Sequence, residues 1–313
     1  MVKIVEVGPR DGLQNETVPI PTRTKIAFVD ALSASGVGEV EVSAFVSRRR
    51  VPQLGDAEEV FAGIVRRPGV VYSALVPNEL GLDRALSAGV GKVAVFTAAS
   101  ETFTRRNIHA TIAESLRRFA PVVSRARRER LPVRGYLSAA FWCAYEGRME
   151  PHAVRDLFRR LVDLGVDEVS IADTVGRATP DDVKRLLDLL LPCCPADRVA
   201  MHFHDTYGRA VANVLASWAC GIRTFDSSAG GLGGCPFAPG ATGNVATEAV
   251  VQALEALGVR VGVDRRRLVG ARRLLDPYLD DADRRPPEDE LPGCAGCEYA
   301  AGEVCCGIVE ARP

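Results

Sequence analysis

The chain has 313 residues, of which 47% are hydrophobic and 25% charged, and its formal net charge is −1. This near-neutral charge gives no electrostatic basis for binding nucleic acid or an anionic membrane, so we expect neither as a partner. No apolar run approaches the ~20 residues of a membrane-spanning helix. The strand-like run from Val2 to Val7 leaves no room for a signal peptide, and nine scattered cysteines are typical of a reducing compartment. We therefore expect a cytoplasmic protein.

Short β-branched runs alternate with longer amphipathic runs, a pattern typical of βα units in a parallel sheet. Eight strands are predicted to begin near Lys3, Val40, Val70, Lys92, Val133, Glu168, Val199 and Thr224. Helices are predicted over stretches that include Thr24–Ser35, Thr111–Arg130, Ala153–Leu164, Asp181–Leu191 and Thr247–Leu257. Glycines suited to end helices stand at Gly36, Gly89, Gly165, Gly221 and Gly258. Eight units over about 260 residues predict a (β/α)₈ TIM barrel with a short C-terminal extension, and an open doubly wound sheet is the alternative.

The composition changes after the predicted barrel. We assign residues 1–275 to the catalytic barrel with its terminal helix, and residues 276–313 to an extension. The extension opens with an acidic, proline-bearing run from Asp276 to Glu290, which predicts a linker or a solvated arm. A tail with four cysteines follows, at Cys294, Cys297, Cys305 and Cys306. Their spacing leaves three interpretations open: a Zn²⁺ site, a redox or intersubunit disulfide, and free thiols.

The strongest local signal is the pair His202 and His204 at the end of the seventh strand. Side chains at positions i and i+2 of a strand project to the same face, so both imidazoles point into the barrel mouth. Asp11 follows the first strand, which adjoins the eighth in a closed barrel, and it supplies an oxygen ligand. This mixed donor set suits Mg²⁺ or Mn²⁺. The alternatives are two histidines held by hydrogen bonds and a turn aspartate.

Three further charged residues stand at or near predicted strand ends. Arg10 precedes Asp11 and is a candidate to stabilise negative charge on a substrate oxygen, the alternative being a surface arginine. Glu41 on the second strand is costly to bury unless it is paired, so it either pairs with Arg10 or serves as a general base. Asp173 ends the sixth strand and is placed for proton transfer or orientation. A structural hydrogen-bonding role is equally open for both carboxylates.

A glycine-rich loop from Gly230 to Asn244 follows the eighth strand. It lacks the Lys-Ser/Thr ending of a phosphate-binding P-loop, which favours a lid that closes over a substrate. Gly233, Gly234 and Pro236 flank the reactive side chain of this lid, Cys235. A thiol exchanges protons near neutral pH, particularly beside a cation. An incidental loop cysteine is the alternative.

These segments, in this order, resemble the 3-hydroxy-3-methylglutaryl-CoA lyase family, within a superfamily of barrel metallolyases. The matches are VEVGPRDGLQNE (Val5–Glu16), EVSAFVS (Glu41–Ser47), VPQLGD (Val51–Asp56), ASETFTRRNI (Ala99–Ile108), VRGYLS (Val133–Ser138), SIADTVG (Ser170–Gly176), HFHDTYG (His202–Gly208) and SSAGGLGGCPFAPGATGNVATE (Ser227–Glu248). The resemblance spans about residues 2–260. The RDGLQNE turn and the cysteine loop are specific to the lyase branch.

The resemblance implies a ligand set of Asp11, His202, His204 and Asn244. It also implies that Arg10 binds the thioester oxygen that becomes enolate-like, that Cys235 exchanges a proton, and that Glu41 and Asp173 support the acid–base chemistry. The implied reaction cleaves a 3-hydroxyacyl thioester into acetoacetate and acetyl-CoA, in acyl-CoA metabolism such as leucine degradation. The implied assembly is a homodimer.

The sequence departs from the family pattern in two regions. Ala44 and Ala144 stand where serine and proline are usual, and residues 139–142 are bulkier or less polar than usual. The acidic run that begins at Asp276 replaces a short basic stretch and is a poor host for CoA phosphates. A different 3-hydroxy acid derivative therefore stays open as the substrate. Two other functions are also open: a metallo-aldolase or condensing synthase of the same superfamily, and a non-catalytic metal-binding barrel.

Overall fold

Eight parallel strands close into a barrel in the computed structural model, which describes residues 1–234 and 243–279. The barrel strands are β1 (Lys3–Glu6), β2 (Glu39–Ala44), β3 (Val71–Leu75), β4 (Lys92–Ala98), β5 (Val133–Ser138), β8 (Glu168–Asp173), β9 (Val199–Phe203) and β10 (Thr224–Ser227). A short antiparallel hairpin, β6 (Trp142–Cys143) and β7 (Gly147–Arg148), follows β5. Closure is completed by β1, which pairs with β2 on one side and β10 on the other. The predicted barrel is confirmed, and the open-sheet alternative is wrong.

Helices cover the outside of the barrel and connect its strands. They are α1 (Thr22–Ser33), α2 (Ala57–Gly63), α3 (Glu79–Ser87), α4 (Glu101–Ile108), α5 (Ile112–Arg128), α6 (Pro151–Leu164), α7 (Pro180–Leu190), α8 (Ala210–Ala219), α9 (Thr247–Ala256) and α10 (Arg265–Arg273). The five predicted helices are present, with ends shifted by at most two residues. Capping boxes fix the starts of α5 and α7, where Thr111 and Thr179 cap the helix. Within the described ranges, every helix falls short of the length and apolarity that a bilayer crossing requires.

The barrel has an apolar layer outside its strands and an ionic interior. Helix α6, for example, buries Leu157, Phe158 and Leu161 on one face, as amphipathic helices around a barrel do. Charged and polar side chains on alternate strand positions meet inside instead, where TIM barrels usually hold layers of bulky apolar residues. The buried interior charges are Glu39, Glu41, Lys92, Arg134, Glu168 and Asp226. A network of ion pairs therefore fills the interior of this barrel.

The first residues of the predicted C-terminal extension pack against the barrel. Leu279 is buried, and Asp276 accepts a hydrogen bond from Arg272 of α10 at 2.6 Å. The structure thus extends the packed region a few residues past the predicted boundary at residue 275. Residues 280–313, which include the four tail cysteines, lie outside the described residues, so the division into barrel and tail stays a prediction.

Substituting alanine for Gly36 is expected to destabilise the fold more than the same change at Gly258. Both glycines have positive φ, +94° at Gly36 and +75° at Gly258. A Cβ at Gly36 would lie 2.4 Å from the carbonyl oxygen of Gly262, whereas nothing lies within 4 Å of one at Gly258. Urea unfolding should show a loss of about 1 kcal/mol for Gly258→Ala and on the order of 2–4 kcal/mol for Gly36→Ala. Equal losses would contradict the role of the backbone contact.

Candidate active site

Two histidines and one aspartate meet at the C-terminal mouth of the barrel. His202 is the penultimate residue of β9, His204 lies just beyond the strand, and Asp11 lies in the turn after β1. The possible ligand atoms of the three residues all lie within 4.8 Å of one another. Asp11 Oδ2 is 3.9 Å from His202 Nε2 and 3.8 Å from His204 Nε2. The structure therefore brings together the three residues that strand alternation and barrel closure predicted to be neighbours.

The turn that carries Arg10 and Asp11 is a short π-helical segment, Gly8–Gly12. The backbone N–H groups of Arg10, Asp11 and Gly12 all donate to the carbonyl of Val7, at 3.1, 2.8 and 3.2 Å. Such wide turns are rare and recur at functional sites, where they redirect side chains. Here the turn brings the Arg10 and Asp11 side chains to the wall of the cavity above the barrel.

The donor set fits a divalent cation. Two buried imidazoles and one carboxylate are the mixed nitrogen and oxygen ligands that such ions accept. Burial would raise the pKa of Asp11, but Arg10 and the two imidazoles outweigh it and hold the pKa well below its ordinary value. Asp11 is therefore ionised at neutral pH. Two buried carboxylate oxygens nearby, Glu41 Oε1 and Asp173 Oδ1, lack a hydrogen-bond partner among the described residues.

Arg10 is held beside the three candidate ligands by two carboxylates. Its Nε donates to Glu41 Oε2 at 2.7 Å, and its Nη1 donates to Asp11 Oδ1 at 2.5 Å. Burial alone would lower the pKa of Arg10, but these carboxylates raise it above its ordinary value, so the guanidinium is permanently charged. Of the two interpretations of Glu41, pairing with Arg10 is the arrangement present in the structure.

Tyr136 on β5 completes the wall beside Arg10, and sequence reasoning missed it. Its hydroxyl donates to Glu41 Oε2 at 3.1 Å, and the Arg10 guanidinium carbon lies 5.3 Å from its ring centroid. Burial raises the pKa of Tyr136 well above its ordinary value, so the phenol stays neutral and acts as a hydrogen-bond donor. Tyr136 and Arg134 stand at alternate positions of β5, so both polar side chains face the barrel interior. This alternation could have identified Tyr136 from the sequence.

Asp173 ends β8 as predicted, but it faces a turn rather than the open cavity. Its Oδ2 accepts the backbone N–H of Ala178 at 2.7 Å, and its carbonyl oxygen accepts the N–H of His204 at 3.3 Å. Its neighbours Ala172 and Thr174 are the residues at this strand end that line the cavity. Burial raises the pKa of Asp173 to about 6. This placement favours an orienting role, through the backbone of His204, over direct proton transfer.

Asn244 reaches the site through its amide nitrogen. Nδ2 donates to Asp11 Oδ2 and to the carbonyl oxygen of Leu232, both at 3.0 Å. An amide nitrogen is not a cation ligand, so the ligand role predicted for Asn244 requires its amide oxygen and stays a prediction.

The start of the predicted lid lies against the Asp11 turn. A Cβ added at Gly233 would lie 3.2 Å from the Cα of Gly12, and the carbonyl oxygen of Gly234 is 3.4 Å from Asn15 Nδ2. Cys235 and Pro236 lie outside the described residues, so the predicted lid thiol is not placed by the structure.

Glu6, which sequence reasoning also missed, joins the Arg10–Asp11 turn to the segment that follows β10. Its Oε1 accepts the N–H groups of Gly8 at 2.9 Å and Ala229 at 3.0 Å, and its Oε2 accepts the hydroxyl of Thr247 at 2.7 Å. Burial raises the pKa of Glu6 to about 7 despite these bonds. One carboxyl group thus holds together three chain segments that surround the site.

A cavity of about 1350 Å³ opens above the three candidate ligands. Its inner end includes Arg10, Asp11, His202, His204 and Tyr136. Its remaining wall combines apolar side chains, such as Leu75 and Phe96, with the exposed cations Arg50, Arg106 and Arg118. The cavity therefore has an ion pair and two imidazoles at its inner end and three exposed cations at its rim.

Comparison with known proteins gives consistent matches. A model of the HMGL-like family matches residues 1–275. A Pseudomonas aeruginosa protein described as 3-hydroxy-3-isohexenylglutaryl-CoA/hydroxy-methylglutaryl-CoA lyase is 52% identical over 270 residues, covering 86% of this chain and 90% of that protein. The crystal structure of the HMG-CoA lyase from Brucella melitensis matches with a TM-score of 0.86 at 48% identity, covering 88% of this chain and 98% of that one. An HMG-CoA lyase from Acinetobacter baumannii, in complex with coenzyme A and 3-methylmalate, has a TM-score of 0.84 at 37% identity and covers 89% of this chain and 91% of its own.

A closed (β/α)₈ barrel with a histidine–carboxylate triad that could hold a metal ion at its C-terminal mouth has the architecture of a barrel metalloenzyme. The chain belongs to the HMGL-like family, whose members depend on a divalent metal. The predicted family and the carbon–carbon lyase class are thereby confirmed. The descriptions of these relatives support an acyl-CoA as the small-molecule partner.

The Glu6→Gln variant is expected to flatten the pH dependence of stability. Because the pKa of Glu6 is raised from 4.5 to about 7 in the folded protein, its contribution to stability is full below pH 4.5 and is lost as the pH rises through 7. Glutamine mimics the protonated carboxyl and does not titrate. The free energy of unfolding of the variant minus that of the wild type should rise by on the order of 1–3 kcal/mol across this window.

Urea unfolding at several pH values between 4.5 and 7.5 measures this difference. Glu129→Gln, which removes an exposed carboxylate, controls for the loss of one negative charge. If the wild-type and Glu6→Gln curves run parallel, Glu6 does not change its ionisation in this window.

Proposed function

We propose that this protein is a divalent-metal-dependent carbon–carbon lyase that cleaves 3-hydroxy-3-methylglutaryl-CoA to acetoacetate and acetyl-CoA. The observation that carries the proposal is the grouping of Asp11, His202 and His204 beside Arg10 at the mouth of the barrel. Relatives with 45–52% identity are described as lyases of this class, which does not favour the condensing-synthase alternative. The intact donor set and its charged neighbours argue against a non-catalytic barrel.

In this proposal Asp11, His202 and His204 hold Mg²⁺ or Mn²⁺, with the amide oxygen of Asn244 as a fourth ligand. A bound divalent cation polarises the oxygen atoms of a substrate. The donor set does not distinguish between the two metals, since both accept imidazole and carboxylate ligands. The experiment below therefore uses each metal in turn.

The reaction breaks the bond between C2 and C3 of the acyl group. The C3 hydroxyl gives its proton to solvent water in the cavity and becomes a ketone, while the bonding electrons move onto C2 and the thioester oxygen. Arg10 is positioned to stabilise the negative charge on that oxygen, because the guanidinium keeps further N–H donors besides those bound to Glu41 and Asp11. Glu41 and Tyr136 keep Arg10 in place. C2 then takes a proton, which we assign to the Cys235 thiol, with Asp173 orienting His204.

The cavity supports CoA as the carrier of the acyl group. The exposed cations Arg50, Arg106 and Arg118 line it, and arginine binds phosphate oxygens well. Apolar side chains such as Leu75 and Phe96 suit the uncharged arm of the carrier. These groups supply positive charge that the acidic run after Asp276 lacks. The proposal also includes a cytoplasmic location, a homodimeric assembly and a role in leucine degradation.

Release of acetoacetate and acetyl-CoA from 3-hydroxy-3-methylglutaryl-CoA tests the function. We expect turnover with Mg²⁺ or Mn²⁺, its loss with EDTA, and its recovery when either metal is restored. The same acyl group on pantetheine alone should have a higher KM, because it lacks the phosphates. 3-Hydroxy-3-isohexenylglutaryl-CoA, named for the Pseudomonas relative, tests whether the apolar wall accepts a larger C3 group. Cation binding without cleavage of the methylglutaryl thioester would contradict the substrate assignment.

Replacing Cys235 by alanine is expected to abolish turnover without changing metal content. Loss of a positioned proton donor costs on the order of 10²–10⁴-fold in rate, whereas a lid thiol contributes no metal ligand. Cys220→Ala, which removes a partly buried thiol at the end of α8, is the matched control and should keep full activity. Loss of bound metal in Cys235→Ala would contradict the lid-thiol role.

A further inference from the structure

Asp226 on β10 lies directly behind one of the candidate metal ligands. Its carboxylate is buried inside the barrel, with only 1% of the residue exposed. Oδ1 accepts a hydrogen bond from Arg134 Nη1 at 2.7 Å. Oδ2 accepts the hydroxyl of Ser170 at 2.8 Å and lies 3.3 Å from His202 Nδ1. Three strands, β5, β8 and β9, thus present donors to this one carboxylate.

A carboxylate at this position determines which nitrogen of His202 carries the proton. An ionised carboxylate only accepts hydrogen bonds, so its neighbour Nδ1 must bear hydrogen. A neutral imidazole with hydrogen on Nδ1 has its lone pair on Nε2. His202 Nε2 is the nitrogen that faces Asp11 Oδ2 across the cation site. The contact therefore leaves the lone pair where a metal ligand needs it.

Asp226 is itself fixed in place. Arg134, also 1% exposed, binds both Asp226 Oδ1 and Glu168 Oε1, the second at 2.6 Å. Lys92 holds Glu168 in turn, at 2.9 Å. Because each of these charges is desolvated, rotating the Asp226 carboxylate away from Arg134 would leave a buried charge unpaired. The carboxylate edge that faces His202 is therefore held rigidly.

We propose that Asp226 is the positioning residue of the cation site, holding His202 with its proton on Nδ1 and its lone pair on Nε2, and that Arg134 keeps Asp226 oriented. The inference rests on the cation site of the proposed function. Its basis is the arrangement of Arg134, Asp226 and His202, in which each group orients the next. Carboxylates behind metal-binding histidines typically change metal affinity or activity 10–100-fold when they are replaced.

The Asp226→Asn variant reverses this arrangement without changing the size of the side chain. An amide has one acceptor and one donor edge, and Arg134 requires the acceptor. The amide NH₂ then faces His202 Nδ1, which must become an acceptor, and the ring proton moves to Nε2. We expect this variant to bind Mn²⁺ about 10–100-fold more weakly than the wild type.

Two measurements test the inference. Titration calorimetry with MnCl₂ gives the dissociation constant of the metal alone. Nitrogen-15 NMR of histidine-labelled protein at pH 8, without metal, gives the tautomer of each ring, and the chain has only four histidines. Wild-type His202 should carry hydrogen on Nδ1, and Asp226→Asn should carry it on Nε2. The wild-type spectrum decides the tautomer even if the variant does not fold.

Matched controls separate the orienting role from a general loss of stability. Ser170→Ala removes another donor to Oδ2 but keeps the carboxylate, and Glu129→Gln removes an exposed carboxylate at the end of α5. Both should bind Mn²⁺ within about 3-fold of the wild type, because the edge that faces His202 is unchanged. Urea unfolding of the metal-free proteins measures the stability of each variant.

The possible results are distinct. Hydrogen on Nε2 of wild-type His202, or Mn²⁺ affinity of Asp226→Asn equal to that of the wild type, would overturn the inference. Failure of the wild type to bind Mn²⁺ at all would overturn the cation site and with it the proposed metal dependence. Normal Mn²⁺ binding without cleavage of the methylglutaryl thioester would instead count against the substrate alone, leaving the role of Asp226 supported.

Discussion

Desolvated charges inside the barrel must each find a partner, and this requirement organises the site. An isolated buried charge costs several kcal/mol, so the interior carboxylates and cations form a connected series of ion pairs. The series runs across the barrel through Lys3, Glu39, Lys92, Glu168, Arg134, Asp226 and His202. A branch runs from Arg134 through Tyr136 and Glu41 to Arg10. Both routes end on residues of the candidate active site. The ion pairs of the barrel interior therefore fix the geometry of that site.

The same series is consistent with the proposed cation at the mouth. The connected groups, ending at Asp11, contain five carboxylates and four basic side chains, which is one negative formal charge in excess when every carboxylate is ionised and the histidines are neutral. Asp11 is the carboxylate at the open end, and it is the one flanked by the two imidazoles. A divalent ion placed there offsets the excess and supplies positive charge beside Arg10. The fit is thus a property of the whole interior rather than of three ligands alone.

Sequence patterns predicted the parts of this protein that depend on local periodicity. Strand starts were placed within one residue, and the pairing of His202 with His204 followed from their spacing on one strand. Barrel closure then predicted that Asp11 would join them. The Asp226 contact was missed because its partners are distant in the chain: Arg134 lies 92 residues away and Ser170 lies 56 away. Alternation shows which residues face inward, but it does not show which of them touch.

Different contacts position the two sides of the site, His202 on one side and the Arg10–Asp11 turn on the other. His202 is positioned from within the barrel, by Asp226 and the ion pairs behind it. Asp11 and Arg10 are positioned from the outside of β1, where Glu6 fastens their turn to the segment after β10. The role of Glu6 could not be predicted from the sequence, because a single acidic residue in a short strand has no periodic signal. Its role appears only when Ala229 and Thr247, more than 200 residues away, pack against it.

The arginines along the cavity also constrain how a substrate enters. Arg50, Arg106 and Arg118 line the wall and are exposed. A CoA thioester carries its phosphates at one end and its reacting carbonyl at the other. Opposite charges attract, so these arginines favour an orientation in which the phosphates stay at the rim. The acyl group is then directed to the inner end of the cavity, where Arg10 lies. The barrel interior and the rim thus act on the same ligand from opposite ends, the first by fixing the catalytic groups and the second by orienting the carrier.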